Sequence, residues 1–217
     1  MRSKRLYNSI IMETTILCEI MERYGSDKGS KFNTSSHNYT IIYHDLFKSM
    51  KVTRVFELGL GTNNTDIPSN MGIHGRPGAS LYGWAEYFPN AAIFGADIDK
   101  GCLFQTDRIR TFYCDQTDTA CIEALWKEPL LEEGFDIIID DGHHVTDSNR
   151  IFFEASIHKL KVGGYYIIED IALCMVPEFL ILLELWKKKY TNLNIAIFSI
   201  PNANPNDNRI MVFYRMF

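Results

Sequence analysis

The feature of this sequence that most restricts its fold is the alternation of short apolar runs with helical stretches from residue 52 onward. Runs rich in β-branched and aromatic residues cover residues 52–58, 91–97, 110–114, 135–140 and 164–169. Helices are predicted between them near residues 79–88, 101–108, 117–126 and 147–160. Strands as continuously apolar as Ile137-Ile138-Ile139 suit a parallel sheet that is covered on both faces. The alternation therefore predicts a doubly wound α/β sheet.

The C-terminal part of the chain departs from this alternation. A helix is predicted near residues 177–190, and strands are predicted at residues 194–200 and 209–215. The connection between these two strands is short and rich in Pro, Asn and Asp, which favour turns. The two strands should therefore pair as an antiparallel hairpin. The expected fold is a seven-stranded sheet that is mostly parallel and ends in this hairpin.

Length and patterning predict one domain. The chain has 217 residues, of which 46% are hydrophobic, enough for one core, and no linker or repeat divides it. We expect an N-terminal helical segment at residues 1–50 and the sheet core at residues 51–217. Apolar residues at helical spacing from Leu6 to Met21 predict an amphipathic helix, packed on the domain or on a partner subunit. Glu13 and Glu19 interrupt this stretch and argue against a targeting signal.

Composition argues against several classes of protein. The formal net charge is −5 without a run of like charge, which disfavours a nucleic-acid binder and a basic membrane-surface protein. No stretch of 18 uncharged apolar residues predicts a membrane span. The five cysteines show no C-x-x-C spacing, so neither a disulfide framework nor a zinc knuckle is indicated. A reducing, cytoplasmic location is expected.

A glycine turn follows the first predicted strand. Gly59 and Gly61 allow the backbone to turn sharply and to approach a ligand closely. A dinucleotide-binding loop would have a third glycine where this chain has Asn64, and no phosphate-binding Gly-Lys-Ser/Thr follows. The glycine pair alone is also compatible with an ordinary tight turn.

Polar residues at the ends of successive strands favour a nucleoside site around this turn. Asp97, at the carboxyl end of the second strand, is placed to accept hydrogen bonds from ribose hydroxyls. Asp115 and Gln116, after the third strand, offer polar groups to an adenine edge, and Glu57 is placed for a ligand ammonium group. Any one acid could be a helix cap, but together they predict cofactor binding. Asp140 joins this set, with a cap or sheet-edge role as its alternative.

Acidic residues also cluster after the fourth and fifth strands. Asp140 and Asp141 end one strand, and Glu169 and Asp170 end its expected neighbour. Carboxylates this close require a proton or a cation, and hard oxygen ligands favour Mg²⁺ or another divalent ion. We predict that Asp141, Glu169 and Asp170 bind a divalent metal, most naturally Mg²⁺.

Two histidines follow the first acidic pair. His144 is a candidate general base, because an unperturbed imidazole titrates near neutral pH, and Asp141 is a candidate partner in catalysis. The role of His143 stays open, and either histidine could instead hydrogen-bond the loop.

With these residues placed, longer motifs carry a resemblance to a known family. They are Tyr24-Gly-Ser-Asp-Lys28, His37-x-Tyr39, Phe56-Glu-x-Gly-x-Gly61, Gly78-Ala-Ser-Leu-x-x-Trp84-x-x-Tyr-Phe-Pro89, Asp115-Gln-x-Asp118, Phe135-Asp-Ile-x-Ile-Asp-Asp-Gly-x-His144 and Gly163-Gly-x-Tyr-x-Ile-Glu-Asp170. The sequence resembles the class I S-adenosylmethionine-dependent methyltransferases. Within them it resembles the metal-dependent O-methyltransferases of mycinamicin and rhamnosyl-tetracenomycin sugars and the related cephalosporin-hydroxylase-like group.

The resemblance implies a Rossmann-like fold and a set of roles. Metal ligands map onto Asp141, Glu169 and Asp170, and the base maps onto His144. The cofactor site maps onto Glu57, Gly59, Asp97 and Asp115. The chain departs from the family at His143, where a serine is usual, and in the long loop at residues 62–78, which leaves the methyl acceptor open.

The resulting hypothesis is an Mg²⁺-dependent O-methyltransferase that acts on a sugar or another small polyhydroxylated molecule. Neither nucleic acid nor a membrane is expected as a partner, and a homo-oligomer is possible. Two alternatives remain: a nicotinamide-dependent oxidoreductase on the same type of sheet, and a cofactor-binding subunit without catalytic activity.

Overall fold

Seven strands form one mixed sheet in the computed structural model, which describes residues 14–29, 37–202 and 204–217. The strands are β1 (Arg54–Leu58), β2 (Ala92–Asp97), β3 (Ile109–Tyr113), β4 (Phe135–Asp140), β5 (Leu160–Ile168), β6 (Leu193–Ser199) and β7 (Arg209–Arg215). Their order is β3-β2-β1-β4-β5-β7-β6. The pairs among β1 to β5 are parallel, whereas β7 is antiparallel to both β5 and β6. The predicted Rossmann-like sheet with a C-terminal antiparallel hairpin is confirmed.

Six α-helices accompany these strands in the part of the chain that the structure describes. They are α1 (Ile16–Tyr24), α2 (Tyr39–Phe47), α3 (Ala79–Tyr87), α4 (Thr119–Leu125), α5 (Thr146–Ser156) and α6 (Val176–Lys189). Short 3-10 turns occur at Lys100–Cys102, Pro129–Leu131, Ile157–Lys159 and Leu173–Met175. No helix among these residues is both long enough and apolar enough to cross a bilayer.

The predicted N-terminal helix is described only in its second half, because residues 1–13 lie outside the described part. Helix α1 begins after Thr15, whose hydroxyl accepts a hydrogen bond from the Cys18 backbone N–H. Thr15 is thus an N-cap that satisfies a free donor of the first turn. The predicted division at residues 50 and 51 stays a prediction.

The helix predicted at residues 101–108 is wrong. After the 3-10 turn, the chain turns back on itself, and Gln105 forms an isolated antiparallel bridge with Arg110. The Thr111 hydroxyl bonds both the N–H and the carbonyl of Phe104, each at 2.6 Å. This side chain satisfies backbone groups that a helix would otherwise have paired.

Both faces of the sheet are buried by helices. In β1, Val55 and Phe56 enter two different hydrophobic clusters, and Ile137 and Ile138 do the same in β4. Successive strand residues point to opposite faces, so each strand contributes to both clusters. This double cover explains the continuous apolar runs, and it leaves the carboxyl ends of the parallel strands as an open edge.

Candidate functional site

A cavity of about 550 Å³ opens at the carboxyl ends of the parallel strands. It is lined by the glycine turn after β1, by the residues that follow β2, β3, β4 and β5, and by the loop at residues 62–78. Strands β1 and β4 meet here, with connections that run in opposite directions along the sheet. Ligands of open α/β sheets bind at such a switch point.

Both glycines of the turn have a positive φ, and a Cβ at either position would meet a neighbouring segment. Gly59 has φ +88°, and a Cβ there would lie 1.9 Å from the backbone oxygen of Asp141. Gly61 has φ +74°, and a Cβ there would lie 1.8 Å from Met71 Sδ. The turn therefore packs against the loop after β4 on one side and the loop at residues 62–78 on the other. Both glycines line the cavity.

Asp97 lines the cavity where the sequence places it. One carboxylate oxygen accepts a hydrogen bond from the Leu60 backbone N–H at 2.7 Å, and the other accepts from Asp99 N–H at 2.8 Å. Burial raises the pKa of Asp97, although these backbone bonds oppose the shift. The residue therefore ties the end of β2 to the glycine turn, while its side chain stays at the cavity wall.

Asp115 and Gln116 line the same cavity after β3. Asp115 accepts hydrogen bonds from the backbone N–H and the hydroxyl of Thr117, at 2.8 and 2.7 Å. The Gln116 side chain donates to Asp140 at 2.7 Å and accepts from the backbone N–H of His143 at 2.7 Å. Both ends of the amide are fixed, so its position in the cavity wall is set by the loop after β4.

Two residues of the predicted cofactor set lie behind the wall instead of lining it. Asp140 is fully buried, contacts Gln116 and accepts a second hydrogen bond from Asn149 at 3.0 Å. Burial raises its pKa to about 7. Glu57 is also fully buried and accepts hydrogen bonds from Ser80 and Trp84, each at 2.5 Å. A direct bond from Glu57 to a ligand ammonium group stays a prediction.

Asp141, His144 and Asp170 form the cluster that is best arranged to hold a cation. One ligand atom from each residue lies within 4.8 Å of the other two. His144 Nε2 is 3.1 Å from Asp141 Oδ1 and 3.6 Å from Asp170 Oδ2. Carboxylate oxygens are the ligands that Mg²⁺ and Mn²⁺ prefer, whereas an imidazole nitrogen is a more typical ligand of Zn²⁺, Cu²⁺ or Ni²⁺. The residues present therefore fit a divalent cation.

Glu169 is held differently from its two predicted partners. It is buried, accepts a hydrogen bond from the Tyr43 hydroxyl at 2.6 Å, and pairs with the Lys28 ammonium at 2.5 Å. Lys28 also contacts the carboxylate of Asp141. The predicted metal set of Asp141, Glu169 and Asp170 is brought into one neighbourhood, but in this structure His144, and not Glu169, completes the three-residue cluster.

Burial and mutual charge set the protonation of the cluster. Burial raises the pKa of Glu169 and of Asp170. For Asp141, burial is outweighed by Lys28 and His144, which hold its pKa below the ordinary range. Burial lowers the pKa of His144, but the carboxylates of Asp170 and Asp141 more than offset this and raise it to about 10. Without a metal, His144 therefore carries a proton at neutral pH.

His143 points to a neighbouring helix. Its Nδ1 lies 2.9 Å from the Ser148 hydroxyl at the start of α5, and its backbone oxygen accepts from Ser69 at 2.9 Å. The residue also lines the cavity. These contacts give it a role in joining the loop after β4 to α5 and to the loop at residues 62–78.

Three further side chains contact the acidic cluster, and the sequence analysis assigned them no role, although two of them stand in the motifs that carry the resemblance. Lys28, Tyr39 and Tyr43 reach the acidic cluster from the segments around α1 and α2. The Tyr39 hydroxyl donates to Asp170 at 2.6 Å, and the Tyr43 hydroxyl donates to Glu169. The four-residue spacing of the two tyrosines places them on one helix face, which was a usable signal. The sequence alone did not show that these hydroxyls contact the acidic cluster.

Comparisons with known proteins agree with the resemblance in the motifs. No family model matches the chain. It is 31% identical over 166 residues to the 8-demethyl-8-(2-methoxy-alpha-L-rhamnosyl)-tetracenomycin-C 3'-O-methyltransferase of Streptomyces olivaceus, covering 75% of this chain and 38% of that protein. It is 30% identical over 166 residues to the mycinamicin VI 2''-O-methyltransferase of Micromonospora griseorubida, with the same coverage.

The fold agrees as well. A solved structure of the MycE methyltransferase from the mycinamycin biosynthetic pathway, in complex with Mg and SAH, has a TM-score of 0.69 and 26% sequence identity. The match covers 94% of this chain and 56% of that one. The chain thus spans well under half the length of the curated relatives that it matches.

Proposed function

This chain is similar in sequence and in fold to O-methyltransferases of antibiotic sugars, and from that premise we propose that it is a divalent-metal-dependent O-methyltransferase. It would move the methyl group of S-adenosylmethionine to a hydroxyl of a sugar or sugar-containing small molecule. The observation that carries the proposal is the Asp141–His144–Asp170 cluster, which lines the cavity at the sheet's switch point.

The cofactor half of the cavity is supported by four residues. Asp97 would bind the ribose hydroxyls, and Asp115 and Gln116 would contact the adenine edge. The methionyl part would lie along the backbone of the turn that contains Gly59. The sulfonium would then lie on the side of the cavity that faces the acidic cluster.

The acidic half would hold the metal and the acceptor. Asp141 and Asp170 would hold the cation, with Glu169 as a further carboxylate in reach of the same neighbourhood. When bound, a divalent cation fixes vicinal hydroxyls and lowers the pKa of the one that attacks. The carboxylates that now contact His144 would then be engaged elsewhere, which favours the neutral imidazole.

In the transfer, the acceptor oxygen forms a bond to the methyl carbon as the carbon–sulfur bond breaks. The electron pair stays on sulfur, which becomes the neutral thioether of S-adenosylhomocysteine. His144 would take the hydroxyl proton, a contribution of about 10²–10⁴ in rate for a positioned general base. Alignment of the two reactants in one cavity would supply much of the remaining acceleration.

The acceptor, the assembly and the location belong to the same proposal. A small polyhydroxylated molecule is favoured over nucleic acid by the net charge of −5. A homo-oligomer and a cytoplasmic location stay predictions.

The test combines binding with turnover. S-adenosylhomocysteine should raise the melting temperature and NAD should not. Methyl transfer from labelled S-adenosylmethionine to free or nucleotide-activated sugars should stop in EDTA and return with Mg²⁺.

His144→Gln should lower kcat by about 10²–10⁴ and retain S-adenosylhomocysteine binding. His158→Gln, at an exposed histidine away from the cavity, is the matched control. Stabilisation by NAD alone, or full turnover in EDTA, would sink the proposal.

A further inference from the structure

The Lys28 side chain is a buried cation inside the acidic cluster. It is 2% exposed. Its ammonium contacts Asp141, lies 2.5 Å from Glu169 Oε2 and lies 3.5 Å from Glu57 Oε1. These three acids belong to the ends of β4, β5 and β1, so one ammonium joins three neighbouring strands.

The backbone around Lys28 fixes this position. Its N–H donates to the Ser26 hydroxyl at 3.3 Å, and its carbonyl accepts from the Thr40 N–H at 3.3 Å. Ser26 follows the left-handed Gly25 that ends α1, and Thr40 lies in the first turn of α2. Lys28 thus lies in the segment between α1 and α2, and its ammonium reaches the cluster from there.

Lys28 and His144 share the carboxylate of Asp141. The ammonium contacts Oδ2, and His144 Nε2 lies 3.1 Å from Oδ1. Both oxygens are therefore engaged by nitrogen cations or donors in this structure. A divalent ion that binds Asp141 must take at least one of these oxygens and must lie close to a positive charge.

We propose that Lys28 is a built-in counter-ion that competes with the divalent cation for Asp141 and Glu169. The inference rests on the proposed metal site and adds a residue that sets its affinity. In the metal-free protein, the ammonium compensates the charge of buried carboxylates whose other partners are the hydroxyl, indole and imidazole groups named above. When the cation binds, the ammonium gives up its contact with Asp141 and stays near Glu57. The cost of this exchange weakens metal binding.

The net charge of the site favours this exchange over binding of the divalent cation by all the acids without Lys28. Four carboxylates converge here: those of Glu57, Asp141 and Glu169 lie around Lys28, and that of Asp170 lies beside Asp141. With all four carboxylates ionised and His144 neutral, a divalent ion and one ammonium together would leave one negative charge, which suits the positive sulfonium of the methyl donor. Without Lys28 the cluster would carry two negative charges and would hold a divalent ion more tightly.

The test measures Mn²⁺ binding directly, by the loss of the free-ion signal in electron paramagnetic resonance. Lys28→Met should bind Mn²⁺ at least tenfold more tightly than the wild type, and Lys28→Arg, which keeps the charge, should stay within about threefold. Lys161→Met is the matched control, because Lys161 pairs with Asp136 at the opposite end of the strands. An affinity of folded Lys28→Met that is equal to or weaker than that of the wild type would overturn the proposal.

A second variant keeps the proposal testable if Lys28→Met does not fold. Lys28→Met/Glu57→Gln removes one cation and one acid together, and it should still bind Mn²⁺ more tightly than Glu57→Gln alone. If the wild type binds Mn²⁺ and the Lys28 variants bind it with the same affinity, only the role of Lys28 is rejected. Absence of binding in the wild type and in all variants rejects this role and the metal in the proposed function together.

Discussion

His144 and Asp170 both adopt a left-handed backbone, with φ of +56° and +54°. Residues with a Cβ rarely take this conformation, which costs roughly 1–3 kcal/mol where the surroundings enforce it. Both side chains are held by a hydrogen-bond partner, His144 by Asp141 and Asp170 by Tyr39. The geometry of the cluster therefore depends on a few individual hydrogen bonds.

One of these bonds is tested by Tyr39→Phe. The Tyr39 hydroxyl donates to Asp170 Oδ1 at 2.6 Å and lies 3.1 Å from the backbone oxygen of Asp207. A hydrogen bond to a charged group contributes about 1.5–3 kcal/mol. We expect the variant to lose about this much free energy of unfolding in urea and to bind Mn²⁺ more weakly. Tyr165→Phe, whose ring packs on Tyr214, is the control. Equal unfolding midpoints for Tyr39→Phe and the wild type would contradict the expectation.

Gly59→Ala tests the contact between the cofactor turn and the metal cluster. A Cβ at this position meets the backbone oxygen of Asp141 at 1.9 Å, so the loop after β4 must move. We expect both S-adenosylhomocysteine and Mn²⁺ to bind at least tenfold more weakly, measured by calorimetry.

The control for this effect is Gly72→Ala. Gly72 also has a positive φ, of +67°, but a Cβ there has nothing within 4 Å. It adds the backbone strain without the collision, and both affinities should be unchanged. Equal losses in the two variants would show that strain, and not the contact with Asp141, is responsible.

The residues that could be predicted are those whose position follows from the sheet alone. Asp97, Gln116 and Asp141 follow strand ends, and the carboxyl ends of parallel strands share one edge. The contacts of Lys28 and Tyr43 were not predictable, because they depend on how the segments around α1 and α2 dock onto the sheet. Docking of this kind leaves no periodic signal in the sequence.

At the scale of elements, Asp136 joins the beginnings of three strands. One oxygen accepts hydrogen bonds from the backbone N–H groups of Thr53 and Arg54, at 2.7 and 2.9 Å, and the other pairs with Lys161 at 3.1 Å. It thus links β1, β4 and β5 at the edge opposite the cavity.

Asp136→Asn should destabilise the protein in a pH-dependent manner. Burial alone raises the pKa of Asp136, but hydrogen bonds from Thr53, Lys161 and Arg54 outweigh it and hold the pKa below the ordinary value. A lowered folded pKa means that the ionised form stabilises the fold above the unfolded pKa of about 3.9, and that this is lost as pH falls through the folded pKa.

The variant should therefore lose about 1–3 kcal/mol of unfolding free energy at pH 7. This difference should begin to shrink near the unfolded pKa of about 3.9 and should vanish only below the folded pKa. Urea denaturation at pH 7, 5 and 3.5 measures it. Asp147→Asn, at an exposed carboxylate that pairs with Arg150, should change stability by less than about 0.5 kcal/mol at every pH. A loss for Asp136→Asn that is independent of pH would contradict the linkage.

At the scale of the whole molecule, segments from both ends of the described chain contact each other beside the site. The Asn38 side chain donates to the backbone oxygen of Pro201 at 2.9 Å, and Asn208 donates to Asn38 at 2.6 Å. His37 Nδ1 lies 3.1 Å from Asn208 Oδ1. The hairpin of β6 and β7 therefore supports the same segment that carries the tyrosines. Contacts between positions about 170 residues apart are beyond what local sequence patterns predict.

The cavity is proposed to have a cofactor half and a metal half that are formed by different residues. Stabilisation by each ligand should therefore depend on different substitutions. A ligand at 100 times its Kd stabilises the folded state by about 2.7 kcal/mol, which is about 5–11 °C in Tm for a chain of this size. S-adenosylhomocysteine and Mn²⁺ should each give such a shift. Asp97→Asn should abolish the first shift and retain the second, because Asp97 lies at the glycine turn.

Asp170→Asn should abolish the Tm shift with Mn²⁺ and retain the shift with S-adenosylhomocysteine, because Asp170 lies in the metal cluster and not at the turn. Differential scanning fluorimetry of the two variants with each ligand gives four independent results. Neither substitution removes a residue of the hydrophobic core, so the ligand-free melting temperature serves as the folding control. If Asp97→Asn and Asp170→Asn each lost both shifts, the cofactor and the metal would depend on one shared set of contacts, and the division into two halves would be wrong.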